Sequence, residues 1–210
     1  MNQKNDKNSL GLNICFEDLE NPIELFKNWF SKAEEKEIND PNAVAVATSD
    51  KNNQPNVRMV LLKGLNDKGF VFYTNFNSKK SEELKDNQKA SMCFHWKSLR
   101  RQVRVLGKVE EVTSKEADDY YNSRPYKNRI SAWASSQSQI LDKRETFLSK
   151  IKEFEKKYPD ENNVPRPTHW SGWRLMPYEI EFWVDGEGRI HERLNYKKIK
   201  DEWIKEILYP

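Results

Sequence analysis

Near the carboxyl end the run RIHER places Arg189, His191 and Arg193 at alternate positions. Side chains alternate across a β-strand, so on a regular strand all three would project from one face, roughly 6–7 Å from one to the next. Two fixed cations flanking a titratable imidazole form either the solvated face of an edge strand or an anion site. Other fragments share the demand for an anion. Arg58 and Lys63 stand at the two ends of RMVLLK, Lys79 and Lys80 adjoin at the start of a polar helical stretch, Gln102 and Arg104 share one face of RQVRV, and Arg124 precedes Pro125. A lysine pair at a helix start opposes the helix dipole, which favours a ligand phosphate there. Arg58 and Lys63 differ in parity, so a regular strand sends them to opposite faces; a bulge, a strand end or two separate anions would reconcile them. Tyr73 and Thr74 close a strand with two hydroxyls, and Gln137 with Ser138 offers an amide and a hydroxyl after a helix end. Such groups pattern a polar planar ligand or simply satisfy loop backbone. Trp183 either stacks on a ring or fills the core.

The familiar alternatives fail. His95, His169 and His191 are too far apart for an i, i+4 metal pair, and Cys15 and Cys93 form neither a CxxC motif nor a disulfide framework, so no metal site is expected. Gly64 and Gly69 have the spacing of a phosphate loop, but Phe70 and Val71 stand where lysine and a hydroxyl must be. The GEGRIH run at 186–191 lacks the third glycine of a dinucleotide fingerprint, and no GxSxG elbow exists. What remains is a surplus of phosphate-suited groups without a metal or nucleophile, which suits a phosphorylated organic cofactor.

The elements that position these groups follow from pattern. The chain has 210 residues, 36 Lys plus Arg against 33 Asp plus Glu, and a net charge of +3, too nearly balanced for a nucleic-acid binder. Its length suits one domain, and its seven tryptophans, eight tyrosines and ten phenylalanines exclude a disordered chain. No apolar run approaches the roughly 20 residues of a membrane span, and the first fourteen residues lack a secretory core, so the expected compartment is the cytoplasm. Residues 1–20 read as a flexible polar arm, and 21–210 as the folded domain. Asn21, Pro22 and Glu24 open an amphipathic helix whose stripe is Leu25, Phe26, Trp29, Phe30 and Ala33. Segments 43–49, 57–63 and 69–74 read as a three-stranded meander, 78–87 as a short helix, and 90–96 and 102–112 as strands, with Gly107 a bulge. Thr113 with Glu116, and Asp142 with Glu145, have capping-box spacing for further helices; the second carries the stripe Phe147, Leu148, Ile151, Phe154 and Tyr158. Strands 173–184, 189–196 and 201–208 close the chain, the first two joined by a turn at Asp185–Gly186. Mostly antiparallel strands with helices in the connections predict an α+β fold around a partly closed barrel.

The ordered series RMVLLK, GFVFYTNFNSKK, RQVRVLGKVEEV, YYNSRP, AWASSQS, VPRPTHWSGWRL, IEFWVDGEGRIHERLNY and the terminal W-x-I-x-x-L-x-P resembles the pyridoxamine 5′-phosphate oxidase family from about Asn21 to Pro210. The resemblance implies an FMN-binding split β-barrel and a homodimer with FMN at the subunit interface. It also implies oxidation of pyridoxamine or pyridoxine 5′-phosphate by dioxygen to pyridoxal 5′-phosphate and hydrogen peroxide. Carried over by position, cofactor contacts fall on Arg58, Met59, Val60, Leu61, Leu62, Lys63, Tyr73, Thr74, Lys79, Lys80, Gln102, Gln137, Ser138, Trp183 and Arg193. Substrate contacts fall on Lys63, Tyr120, Arg124 and Asn128, with Arg189 and His191 at the pyridine ring and reacting carbon. Two phosphorylated ligands would also account for cations of opposite parity. The chain departs from the family pattern at Lys79, where arginine is common, at Asn128 in place of serine, at Ser171 within the W-G-G segment, and at Ile190 and Glu192 around His191. The stretch before Glu17 lacks the family's Arg-x-x-Tyr. Two other readings compete: a different split-barrel FMN oxidoreductase, and a non-catalytic carrier of FMN or pyridoxal phosphate.

Overall fold

The computed structural model describes residues 7–210. Nine antiparallel strands form one curled sheet, with five helices in the connections: α1 (Pro22–Lys36), β1 (Ala43–Ser49), β2 (Pro55–Leu61), β3 (Gly64–Asn66), β4 (Gly69–Asn75), α2 (Lys79–Asp86), β5 (Lys89–Trp96), β6 (Arg101–Glu111), α3 (Ser114–Ser123), α4 (Tyr126–Ala134), α5 (Arg144–Lys157), β7 (Trp170–Val184), β8 (Glu192–Ile199) and β9 (Glu202–Leu208). The order along the sheet is β2-β1-β5-β6-β7-β4-β3, with β8 also on β7 and β9 on β8. No helix among the described residues is long and apolar enough to cross a membrane.

The core lies inside the curl and is closed by α1. Pro22 begins this helix and the Asn21 side chain accepts from the Ile23 amide, while Glu24 pairs with Lys27 instead of completing a capping box. Its buried stripe meets the sheet through Phe26, whose ring lies 4.9 Å from Phe70 and 5.0 Å from Phe94. Removing that ring would cost about 3–5 kcal/mol, the usual price of a buried phenylalanine cavity. The helix after the apolar 129–135 segment behaves differently. Lys143, not Asp142, caps α5 and makes no side-chain cap bond, Asp142 instead accepts from the Thr146 hydroxyl, and no α5 residue is fully buried.

The expected meander is not formed. Strand β2 pairs with β1 alone, whereas β4 pairs with β3 and β7. At Leu62 the chain leaves β2 and turns a barrel corner, where the Lys63 amide donates to the Val71 carbonyl at 2.8 Å. The hairpin that the turn signals predict does form at Asn66–Gly69, but its first arm is the short β3 rather than β2, and β4 takes β7 on its other edge.

Strand β7 organises the molecule. It is fifteen residues long, pairs with β6 from Trp173 to Val184, and divides its other edge between β4 (Trp170–Leu175) and β8 (Glu179–Val184). The β6–β7 register shifts between Leu106 and Gly107, where the bulge was expected, and a Cβ on Gly107 would sit 2.4 Å from the Met176 carbonyl oxygen.

Two sequence expectations are corrected near the termini. The supposed arm packs against the barrel from residue 7 onward: Leu12 and Phe16 are buried, and the Trp29 indole donates to the Cys15 carbonyl. A polar composition hid two well-spaced anchors; the arm's first six residues lie outside the described ones. The β7–β8 connection is not a two-residue turn. It runs from Asp185 to His191 through a 3₁₀ turn at Glu187–Arg189, with Gly188 and Arg189 both left-handed at φ of 62° and 65°. Arg189 and His191 therefore belong to a loop, and only Arg193 is on the strand.

Candidate active site

The fold gathers most of the sequence-selected cations around one cavity of about 610 Å³. Strand β2 supplies Arg58, Met59, Val60 and Leu61, the barrel corner Lys63, and the end of β4 Tyr73 and Thr74. Helix α2 supplies Lys79 and Lys80, the end of α3 Tyr120 and Arg124, and the loop after α4 Gln137 and Ser138. Arg58 and Lys63 meet here despite their parity because the strand ends between them. Five cations line the cavity and no carboxylate does. Such a surface attracts a polyanion strongly in a partly desolvated site.

Behind the lining, buried partners fix the cations. Glu83 of α2 is 4% exposed and receives Arg58 Nη2 at 3.1 Å, Asn56 Nδ2 at 3.1 Å and the Thr48 hydroxyl. Burial pushes its carboxyl up, but the Thr48 and Asn56 hydrogen bonds and the Arg58 guanidinium outweigh burial and hold it below the ordinary value. Lys80 donates to Thr74 Oγ1 at 3.0 Å, Ser78 Oγ at 3.1 Å and Gln137 Oε1 at 3.1 Å. Burial, reinforced by the Arg58 charge and partly offset by Glu83, brings the Lys80 ammonium down to about 8. No side chain caps the amino end of α2, leaving its amides to a ligand.

The far wall is aromatic. Tyr73 stacks on Tyr120 at 4.1 Å and on Trp170 at 5.4 Å, and the Arg124 guanidinium lies 4.8 Å from the Trp170 ring. Burial pushes both tyrosine hydroxyls up and Arg124 down from its ordinary value. Arg124 Nη1 is buried without any hydrogen-bond partner. An orphaned guanidinium nitrogen is costly unless a ligand anion completes it.

Sequence reasoning missed Asn56, Val57 and Trp170 on the lining and Glu83 behind it. Trp170 begins a strand among other tryptophans and carries no local signal of its position. The lysine pair three residues before Glu83 was the available clue to that carboxylate, since a buried helix turn with two cations needs an anion.

Other selected residues lie elsewhere. Leu62 turns into the core, with its amide and carbonyl both bonded to Asn42, and Asn128 is exposed on α4 away from the cavity lining. Gln102, Trp183, Arg189, His191 and Arg193 cluster at the opposite end of β7. There Gln102 faces Trp183 in the ladder and Trp183 faces Arg193. Arg193 Nε bonds Glu181 at 2.9 Å, and the His191 ring lies 4.7 Å from Trp183. Trp170 and Trp183 are separated by about 40 Å of strand path at roughly 3.3 Å per residue.

A curled antiparallel half-barrel with a cationic cavity at one end of its longest strand defines an FMN-binding split-barrel protein. The solved structure of a pyridoxamine 5′-phosphate oxidase-related, FMN binding protein from Nostoc punctiforme shares the fold, with a TM-score of 0.71 at 17% identity over 88% of this chain and 97% of that one. PhzG from Burkholderia lata, solved with tetrahydrophenazine-1-carboxylic acid, matches with a TM-score of 0.88 at 28% identity over 94% of this chain and 96% of that one. Residues 30–158 match the family model for pyridoxamine 5′-phosphate oxidase, and residues 170–210 that for the pyridoxine 5′-phosphate oxidase C-terminal dimerisation region. The chain belongs to the pyridoxamine 5′-phosphate oxidase family. It is 60% identical to the pyridoxine/pyridoxamine 5′-phosphate oxidase of Pelagibacter ubique over 98% of this chain and 100% of that protein, and 51% identical to that of Agrobacterium fabrum over 93% and 95%.

Proposed function

We propose that this chain is an FMN-dependent oxidase that converts pyridoxamine and pyridoxine 5′-phosphates to pyridoxal 5′-phosphate, with dioxygen reduced to hydrogen peroxide and ammonia released from the amine. The observation that carries the reading is the cavity with five cations, no lining carboxylate and an orphaned Arg124 nitrogen. Two phosphorylated ligands need that much positive charge. Bound FMN supplies a two-electron acceptor that dioxygen restores.

The chain's own residues then bind, orient and move protons. Arg58, Lys79, Lys80 and the open amino end of α2 hold the cofactor phosphate, and Gln137 and Ser138 meet the polar edge of the ring. Lys63, Tyr120 and Arg124 hold the substrate phosphate against the aromatic wall, which fixes the pyridine carbon relative to the flavin. Gln102, Trp183, Arg189, His191 and Arg193 lie too far along β7 to serve the same bound molecules within one chain. A second copy must bring them, so the active unit is a homodimer, and the match of 170–210 to a dimerisation region supports this. In that dimer Arg189 positions the pyridine ring, and His191 takes the proton that leaves the substrate oxygen or nitrogen as the adjacent carbon gives up hydride. The cytoplasm is the proposed compartment; the free thiols of Cys15 and Cys93 accord with it.

The test is anaerobic mixing of the FMN-loaded protein with pyridoxine 5′-phosphate while the flavin's visible absorbance is followed, then admission of air. Bleaching, then recovery with stoichiometric aldehyde and peroxide, is expected. Flavin that binds but never bleaches with either phosphorylated substrate would refute the oxidase reading and leave a carrier.

A further inference from the structure

We propose that Asp185, clamped by Arg100, is the positioning residue for His191: it decides which imidazole nitrogen carries the proton and holds the ring against Trp183. The inference deepens the oxidase reading and rests on it for its catalytic consequence.

Nδ1 of His191 has two neighbours that make opposite demands. Asp185 Oδ1 lies 3.1 Å away and can only accept, so it requires a proton on Nδ1. The Gly186 amide nitrogen lies 3.2 Å away and can only donate, so it requires Nδ1 bare. One tautomer serves the aspartate and leaves Nε2 free to accept a substrate proton; the other serves the glycine and occupies Nε2 with hydrogen. A charge-assisted hydrogen bond is roughly twice as strong as a neutral one, which selects the first.

Arg100 makes that selection durable. Its Nε reaches Asp185 Oδ2 at 2.8 Å, its Nη2 meets the same oxygen, and its carbonyl accepts from the Asp185 amide at 3.0 Å. Arg100 Cα is left-handed, at φ of 55°, in the β5–β6 turn opposite. Hydrogen bonding and charge from Arg100, with a smaller contribution from His191, hold the Asp185 carboxyl below its ordinary value despite some burial. The neighbouring charges are committed elsewhere: Glu192 to Lys7 and the Asn13 amide, and Arg193 to Glu181. Glu187 and Arg189 are exposed on the same loop. Gly186 is required for this geometry, since a Cβ there would sit 1.9 Å from the Ile190 carbonyl oxygen.

The test uses the FMN-loaded protein and Asp185→Asn, which keeps the shape, removes the charge and can donate to Nδ1. In ¹⁵N-labelled protein, with His191 assigned by comparison with His191→Gln, neutral wild-type His191 should carry its proton on Nδ1. In Asp185→Asn the proton should move to Nε2, because the asparagine amide can donate to a bare Nδ1. An unchanged tautomer would overturn the proposal whatever the enzyme turns over. By kinetics, Asp185→Asn should lower kcat about 10- to 100-fold, the range for a lost orienting partner, with FMN affinity unchanged. In the His191→Gln background it should add nothing, and an equal further loss there would overturn the proposal. A tautomer change in a protein that never bleaches would support the positioning role while refuting the oxidase reading.

Discussion

The two ends of β7 gather the residues singled out from the sequence and are built in different ways. At the Trp170 end the chain completes most of its own polar groups: Glu83 is buried under Arg58, Thr48 and Asn56, and Lys80 donates to three acceptors, while Arg124 Nη1 is left without a partner. At the Trp183 end the groups sit on a loop with two left-handed residues, Arg189 is exposed, and it pairs with no carboxylate among the described residues. The first half is a preorganised anion receptor, whose electrostatic cost was met during folding. At the second end Arg193 and His191 already face Glu181 and Asp185, and Arg189 alone is left to meet another molecule, which on the proposed reading is the ligand held by the second subunit. On the proposed reading, the difference makes these two half-sites that only a second copy of the chain brings together.

Arg189→Ala gives the largest expected effect. Removing a cation that acts on the reacting substrate should lower kcat/KM by about 10²–10³-fold, comparable to losing one preorganised electrostatic contact. Because Arg189 has no structural partner to orphan, FMN affinity and Tm should stay near wild type. A large fall in Tm would show that the exposed end is structural, and the contrast between the ends would collapse.

Mixed dimers break the comparison more directly. Arg124→Ala disables the cavity end and Arg189→Ala the loop end, so each homodimer should be nearly inactive. After subunit exchange in equal amounts, half of the dimers are mixed and each has one of its two sites intact, so activity should return to about a quarter of wild type. Activity that stays at the level of the separate variants would mean that both halves act within a single chain.

The same contrast explains what the sequence disclosed. Strand β1 and the Thr113–Glu116 capping box stand where pattern places them, because alternation and caps are local. The Gly107 bulge was legible for the same reason. The meander departs from its pattern at one joint, because the chain leaves β2 after Leu61 and the short β3 pairs with β4, whose other edge meets β7 about a hundred residues on, beyond any periodicity. At the site, cationic residues were legible as types, and the family resemblance supplied their grouping. Glu83, Trp170 and the Arg100–Asp185–His191 cluster were not, since each acts through neighbours brought together only by the closed sheet. The loop conformation at Arg189 escaped as well: R-x-H-x-R has strand parity, but the crowding of Gly186 against Ile190 and the left-handed Gly188–Arg189 pair override it.

The smallest expected effect separates the ends by pH. Lys80 is buried beside Arg58, and its ammonium is brought down to about 8 in the free protein. In its proposed role Lys80 meets the FMN phosphate in the charged form, so above that pH a growing fraction of the protein must first take up a proton. The FMN dissociation constant should therefore be flat with respect to Lys80 below pH 8 and rise from pH 8 to 9.5, by at most about tenfold per unit. Fluorescence titration of FMN into the stripped protein measures this. Lys80→Arg should remove the rise, because a guanidinium stays charged throughout. Glu83→Gln should start it at lower pH, because Glu83 is the one charge that favours the ammonium. Arg189→Ala, at the other end of β7, should leave the curve where it is. A wild-type curve that stays level to pH 9.5 would remove Lys80 from the phosphate, and an onset moved by Arg189→Ala would show that the two ends are coupled rather than independent.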